Sequence, residues 1–467
     1  MLKKEKLEQL LALCMDSQAD FAEIYEELEH TETIRMLDGK VEDIDRKVVN
    51  GIGIRLYKDL QSVYAFANKS DDATVLPLIE DLKDAVGHTS DSEEKKESSI
   101  VLTPVTYDKI HTVKVDYEKT PLFEKADLLA RADKAAKEVD ERIVKVQGVL
   151  LNVKQQVQIS NSEGRLVDDT RVRTRMMITA YAKEGDNMQS GGDRPGAGMG
   201  LEYFETKTPE ETGREAARVA LVNLKAQDCP SGKMPVIIDN EFGGVIFHEA
   251  CGHGLEATSV AKNFSIFAGK VGQQIAASCV NAMDDGTIPG AWGSEHVDDE
   301  GNPQQKRQLI KDGILQGYMI DRLNGRRMGA ESTGSGRRES YKYEPTSRMS
   351  NTFIMQGTSK FEELFEGIER GLYAKKMGGG SVNPQTGDFN FAVNEGYLIE
   401  NGKITVPVKG AALIGNGGEI LWNIDRVCEN LERAQGMCGS ASGSIPTDVG
   451  QPAIRVSSIT VGGTASE

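Results

Sequence analysis

The sequence predicts an α+β protein in two lobes. An N-terminal lobe of mixed helix and antiparallel sheet spans residues 1–230. A glycine-rich, mainly antiparallel β lobe spans 231–467 and carries a helix with an HExxxH pattern. Three observations point there. The 467 residues exceed the roughly 250–300 at which a single hydrophobic core stops growing. Helical and strand periodicities alternate in the first half, with hairpin-type turns between the strand-like runs. Few strand–helix–strand crossovers of parallel type are visible, so antiparallel sheets are expected.

Taken in order, Leu7, Leu10, Leu11 and Cys14 recur at helical spacing, and Val75, Leu76, Ile79, Leu82 and Val86 do so again. Between them FAEIYEELE, TIRMLDGKVEDIDRK and GIGIRLYKDLQSVYAFAN read as an antiparallel meander, the middle run broken by Asp38-Gly39. Residues 87–99 are polar and charged, which predicts a surface loop. Thr120-Pro121 opens a helix expected to reach about Ile143, and a hairpin of long strands follows, turning at Asn161–Gly164. Thr208 and Glu211 form a capping box ahead of an amphipathic helix. DCPSGKMPVIIDN is a turn-rich linker that puts the lobe boundary near residue 230. Beyond it, DDEG (298–301), KDG (311–313) and ENGK (400–403) predict hairpin turns. Two helices are expected among these strands, one capped by Ser359 and one around Ile420–Leu431.

The formal charge of −17 is spread along the chain, without a basic block or an arginine/aromatic cluster. That argues against direct binding of nucleic acid, which needs a positive footprint. No run approaches the roughly 18 apolar residues of a membrane span, and the N-terminus lacks a signal peptide's apolar stretch, so a soluble, cytoplasmic protein with no membrane association is expected. The six cysteines are scattered without a CxxC, as in a chain with reduced thiols, and this leaves a thiolate available as a metal ligand.

The chemistry concentrates in GGVIFHEACGHGLEA, Gly243–Ala257, which holds two of the six histidines. An apolar helix with Val245, Ile246 and Phe247 buried, preceded by a cap at Asn240, is expected to run straight into His248. Two imidazoles can share one ion only if they project to the same side, yet residues five apart on a regular helix diverge by about 140°. The helix must therefore widen into a π-bulge or end before His253, and Gly252 and Gly254 make that backbone freedom cheap. If the ion is Zn2+, two histidines and one further protein ligand leave a fourth position for water, and Glu249 is placed to take its proton and pass it to a leaving amine. That is hydrolysis of an amide.

The third ligand must come from elsewhere. Glu256 is the local candidate, though it also reads as an exposed helix-end glutamate. Cys251 reads as a packing cysteine, His296 as a surface histidine and Cys428 as a core position of a helix. Cys438, flanked by Gly436 and Gly439 in an apparent loop, is a candidate thiolate.

The chain resembles the TldD/TldE (PmbA) metalloprotease family, and within it the motif-bearing TldD type. The likeness is carried by FHEACGHGLEA, DDGTIPGAWGSEHVDDEG, GYMIDRLNGRRMG with GRRESYKYEPTSRMSNT, GLYAKKMGGGSVNPQTGDFNFAVNEGYLIENGKITVPVKGAALIGNG and MCGSASGSIPTDVGQP. The resemblance implies a zinc protease with His248, His253 and Cys438 as ligands and Glu249 as general base. It implies a buried site that admits extended or unfolded peptides, and a heterodimer with a TldE/PmbA-like paralogue lacking the motif; a homodimer is the other arrangement. Glycine-rich strands can pair with a substrate backbone, and Gly378, Gly379 and Gly380 are the expected wall. Arg337 and Arg338 are candidates to meet a substrate carboxylate. The rival functions are a regulatory subunit of gyrase-modulator type, a description also given to this family, and a zinc hydrolase of small amides.

Overall fold

The computed structural model describes residues 1–87, 99–383 and 386–464. The architecture is mixed α+β and built on largely antiparallel sheets. The first sheet begins with the strands Phe21–Leu37, Lys40–Lys58 and Gln61–Ala67 and continues through the long strands Ile143–Asn161 and Arg165–Glu184. Asp38 and Gly39 turn the first hairpin with φ of +48° and +77°, backbone values whose twist matches the strands they join. The helices Lys4–Met15 and Asp72–Val86 bury Leu7, Leu10, Leu11, Val75 and Ile79 against Ile24, Ile54 and Leu56 of this sheet. The helices Leu122–Lys137 and Pro209–Leu224 share a second cluster with Ile34, Leu150, Met176 and Ile178. The second of these begins on the expected capping box of Thr208 and Glu211. The polar stretch 88–98 lies outside the described residues.

Two further sheets carry the site. In one, the strands run in the order Arg370–Val382, Gly232–Ile238, Ile454–Gly462, Ala412–Asn416, Asp388–Glu400 and Lys403–Lys409. In the other, Asn351–Ile354 pairs with Gly443–Gln451, which pairs in turn with the edge strand Glu432–Ser440. The short helix Val245–Ala250 is wedged between them. It touches Asn351–Ile354 and Gly443–Gln451 on one side and Arg370–Val382 and Asp388–Glu400 on the other. Val245, Ile246, Phe247 and Ala250 all enter the main hydrophobic core. At the head of this helix Gly244 lies so close to the neighbouring strand that a Cβ there would meet the Gly450 backbone at 2.3 Å.

Several expectations are corrected. The helix expected over Ile420–Leu431 is a single turn, Gly417–Ile420, followed by the strand Ile424–Val427. Its apolar spacing is used instead to pair with Ile454–Gly462. A 3-10 turn, Phe361–Phe365, follows Lys360 where a helix capped by Ser359 was expected, and the helix after Pro121 ends at Lys137. Asn240 precedes the motif segment without a side-chain cap.

DDEG does turn the chain, between the bridged Val297 and Pro303, but Asp298, Asp299 and Glu300 are buried. Arginines make this tolerable. Arg55 reaches both Glu23 and Glu300 at 2.8 Å, Arg171 reaches Asp299 at 2.7 Å, and Arg173 reaches Glu295 at 2.7 Å. Asp298 has no such partner; burial and the neighbouring Glu300 push its carboxyl up to about 8. Among the described residues no helix is long and apolar enough to cross a membrane.

Two stability outcomes follow. Gly244→Ala should destabilise by about 1–3 kcal/mol, because overpacking outweighs the better helix propensity of alanine. A lower urea midpoint with an unchanged m-value would show it. Arg55→Met should cost about 3–5 kcal/mol by leaving Glu23 and Glu300 buried without their shared cation, measured by the same titration.

Candidate metal centre

The helix Val245–Ala250 brings His248 into the core and then stops. Cys251 adopts φ −126° and ψ −47°, and Gly252–Leu255 continues as a 3-10 turn. The break answers the spacing problem: it swings His253 back beside His248, their ring centroids 5.2 Å apart and their planes crossing at 83°. Neither flanking glycine has a positive φ. They are required by contact instead, since a Cβ on Gly252 would sit 2.2 Å from Met349 Sδ and one on Gly254 2.7 Å from the Phe267 ring.

Facing the two rings is Cys438, which lies in the edge strand Glu432–Ser440 and is 5% exposed, not in a loop. Its neighbours alternate: Met437 points outward, 54% exposed, while Cys438 points in. His248 Nε2 and His253 Nε2 each lie 3.2 Å from Cys438 Sγ, and the three donor atoms fall within 4.8 Å of one another. Burial alone would raise the Cys438 thiol, but the His248 and His253 imidazoles hold it down to about 3. At neutral pH the sulfur is a thiolate.

Behind His253, Nδ1 lies 3.1 Å from Glu256 Oε2. Glu256 is buried, which corrects the expectation of an exposed helix-end side chain. Although burial opposes it, the Glu256 and Cys438 charges raise the His253 pKa well above its usual value. With Nδ1–H donated to Glu256, Nε2 faces Cys438, and its own proton points at the thiolate, in the place a bound ion would take. His248 Nδ1, by contrast, is buried with no hydrogen-bond partner among the described residues. Glu249 Oε2 lies 3.5 Å from His253 Nε2, and with 22% of its side chain exposed it is the open edge of the cluster.

The other sequence candidates fall elsewhere. Cys251 is fully buried in the main core and Cys428 in a smaller cluster. His296 is not a surface residue: its Nδ1 is 2.6 Å from Asp169 and its ring stacks on His111. Arg337 and Arg338 are 1% and 3% exposed and spent on internal partners, Glu295 for the first and Glu23 for the second. Neither has a free guanidinium to offer a substrate, which corrects that expectation. Gly378 and Gly379 do line a cavity of about 800 Å³, at an irregular stretch where the pairing of two strands slips. Gly380 is beside them in the same strand, with a Cβ position blocked by the Asn390 carbonyl and the Phe391 ring. Gly436 and Met437, just ahead of Cys438, line the same cavity, as do Glu241 and Phe242 just ahead of the motif helix.

Two imidazole nitrogens and a buried thiolate are a donor set suited to zinc among the biological metals. Their separations also suit it: donors bound tetrahedrally at zinc distances stand roughly 3.5 Å apart. Comparison with known proteins points to a metallopeptidase family. Three sequence profiles of the PmbA/TldA metallopeptidases match the chain, domain 1 over residues 22–88, the central domain over 116–224 and the C-terminal domain over 231–463. The metalloprotease TldD homolog of Haemophilus influenzae is 38% identical over 453 residues, 95% of this chain and 93% of its own. The zinc metalloprotease TldD homolog of Saccharolobus solfataricus is 29% identical over 304 residues, 65% of this chain and 68% of its own. Among solved structures, a Thermotoga maritima protein described as a modulator of a DNA gyrase superposes with a TM-score of 0.79 at 22% identity, covering 98% of this chain and 99% of that one. TldE from Thermococcus kodakarensis does so with 0.74 at 21%, covering 97% and 99%. The chain belongs to the PmbA/TldD metallopeptidase family.

Proposed function

We propose that this metallopeptidase is zinc-dependent and hydrolyses peptide bonds of extended or unfolded peptides, with His248, His253 and Cys438 as the metal ligands and Glu249 as general base. The observation that carries the reading is the convergence of two imidazole nitrogens and one thiolate on a single buried point, each pair within 4.8 Å. When bound, zinc supplies Lewis acidity that stabilises the negative charge developing on the attacking and carbonyl oxygens.

The chain's own residues do the rest. The Glu249 carboxylate, partly exposed beside His253 Nε2, takes a proton from the attacking water and returns it to the leaving amine. Glu256 holds the His253 ring by its Nδ1. The cavity lined by Gly378, Gly379, Gly436 and Met437 receives the peptide. Among the described residues the edge strand Glu432–Ser440 has a strand partner on one side only, so an extended peptide can add to the other through main-chain hydrogen bonds and be accepted with little regard to side chains. The same reading includes a partner, either a TldE/PmbA-like paralogue lacking the motif or a second copy of this chain.

Elemental analysis of the purified chain should find about one zinc per subunit. Glu249→Gln should keep that zinc and lose about 10²–10⁴-fold in cleavage of an unfolded protein; unchanged cleavage by this variant overturns the mechanism. Gly379→Leu should raise KM for unfolded protein several-fold with zinc content and kcat unchanged, because nothing lies within 4 Å of a Cβ there and the side chain would enter the cavity. An unchanged KM removes this cavity from the substrate path. Mixing the chain with a candidate paralogue and following mass together with activity decides the assembly.

A further inference from the structure

The donor cluster is assembled from two pieces of chain that meet only in the fold: the broken helix with His248 and His253, and the edge strand with Cys438. Between them lies Arg348, fully buried, from the segment just ahead of the strand Asn351–Ile354. Its guanidinium is spread over both pieces. One terminal nitrogen donates to the Cys438 carbonyl. The other donates to Ser442 Oγ at 3.0 Å and to the Gly443 carbonyl at 2.9 Å, across the turn that closes the cysteine hairpin. On the opposite side Arg348 Nε lies 3.8 Å from Glu256 Oε1, the carboxylate whose other oxygen holds His253. Among the described residues neither Nε nor Oε1 has a hydrogen-bond partner, and both are buried, so the two atoms face each other.

Resting on the metal reading above, we propose that Arg348 is the positioning residue of the centre: one buried guanidinium fixes the Cys438 strand directly and the His253 ring through Glu256, and so sets the separation of two of the three donors. Only arginine has the geometry for this. Its planar fork supplies five donors in fixed directions, whereas a lysine offers a point charge that cannot reach the hairpin turn, the Cys438 carbonyl and Glu256 together. A buried cation that served stability alone would need only its countercharge. This one places most of its donors on the backbone and turn of the strand bearing Cys438. The third donor, His248, has no such support at Nδ1 and is held by the packing of its helix.

The test is a zinc affinity, read by competition with a chromophoric chelator on the full chain, together with the thermal midpoint of the metal-free protein. Arg348→Lys and Glu256→Gln should each weaken zinc about 10–100-fold, the usual effect of removing an outer support of a ligand. The double variant should lose little more than the worse single one, because the two side chains act as one linkage. Cobalt(II) at saturation should show a weakened thiolate-to-metal absorption in Arg348→Lys, a change that a purely structural role does not produce. Wild-type zinc affinity in a folded Arg348→Lys or in Glu256→Gln overturns the proposal. Should Arg348→Lys fail to fold, Glu256→Gln and Ser442→Ala read the same quantity from the other ends of the clamp. Failure of the metal reading itself looks different: wild type and Cys438→Ser would then bind zinc equally.

Discussion

Bringing one thiolate and two imidazoles together in a buried space is costly before any ion arrives, because burial penalises the charge on sulfur and strips water from all three groups. The structure meets this by making each group a partner of the others. Both imidazole nitrogens stand 3.2 Å from Cys438 Sγ, and the stabilisation is large enough to hold the thiol at about 3 against its burial. Every element nearby serves this meeting. The helix breaks at Cys251 to turn the second ring, and Gly244 lets that helix approach the strand next to the cysteine strand. The edge strand then delivers the sulfur at Cys438, while the residues just ahead of it, Gly436 and Met437 among them, line the cavity.

A second constraint acts at longer range. The loop that holds Glu295, Asp299 and Glu300 is acidic and buried, and the cations that neutralise it come largely from the first sheet: Arg55, Arg171 and Arg173. Arg337 and Arg338, from the segment that leads to Arg348, complete the same network. Such pairs contribute little net stability over apolar packing of the same shape, but removing one partner is expensive. They therefore favour a single docking of the first sheet against the part of the chain that carries the metal cluster.

What was legible in the sequence is local. Asp38-Gly39, the capping box at Thr208 and the hairpin at Asn161–Gly164 each announce themselves within a few residues, because the backbone geometry they need is supplied by the residues themselves. The five-residue spacing of His248 and His253 likewise demanded a bulge or a break, and the structure shows the break. What was not legible depends on partners far along the chain. Nothing around DDEG says that arginines more than a hundred residues away will bury it. Glu256 was visible as the third residue after His253, but the cation beside it in the interior, Arg348, lies about ninety residues on. Cys438 read as a loop cysteine because Glu432, Gly436 and Ser440 share its face of the strand, where apolar residues normally mark the alternation.

The order in which the chain supplies these donors has a further meaning. Both histidines and the base Glu249 are present by residue 253, but the sulfur arrives only at residue 438 of 467. On the function proposed above, a growing chain is itself a set of unfolded segments of the kind the site would receive, yet it lacks the full donor set until Cys438 has been made. Cys438 is delivered by the strand Glu432–Ser440 in its pairing with Gly443–Gln451. With Cys438 as the third ligand, as proposed, peptidase activity would appear only with the completion of folding, so that a chain would become able to cut only when it is no longer cuttable.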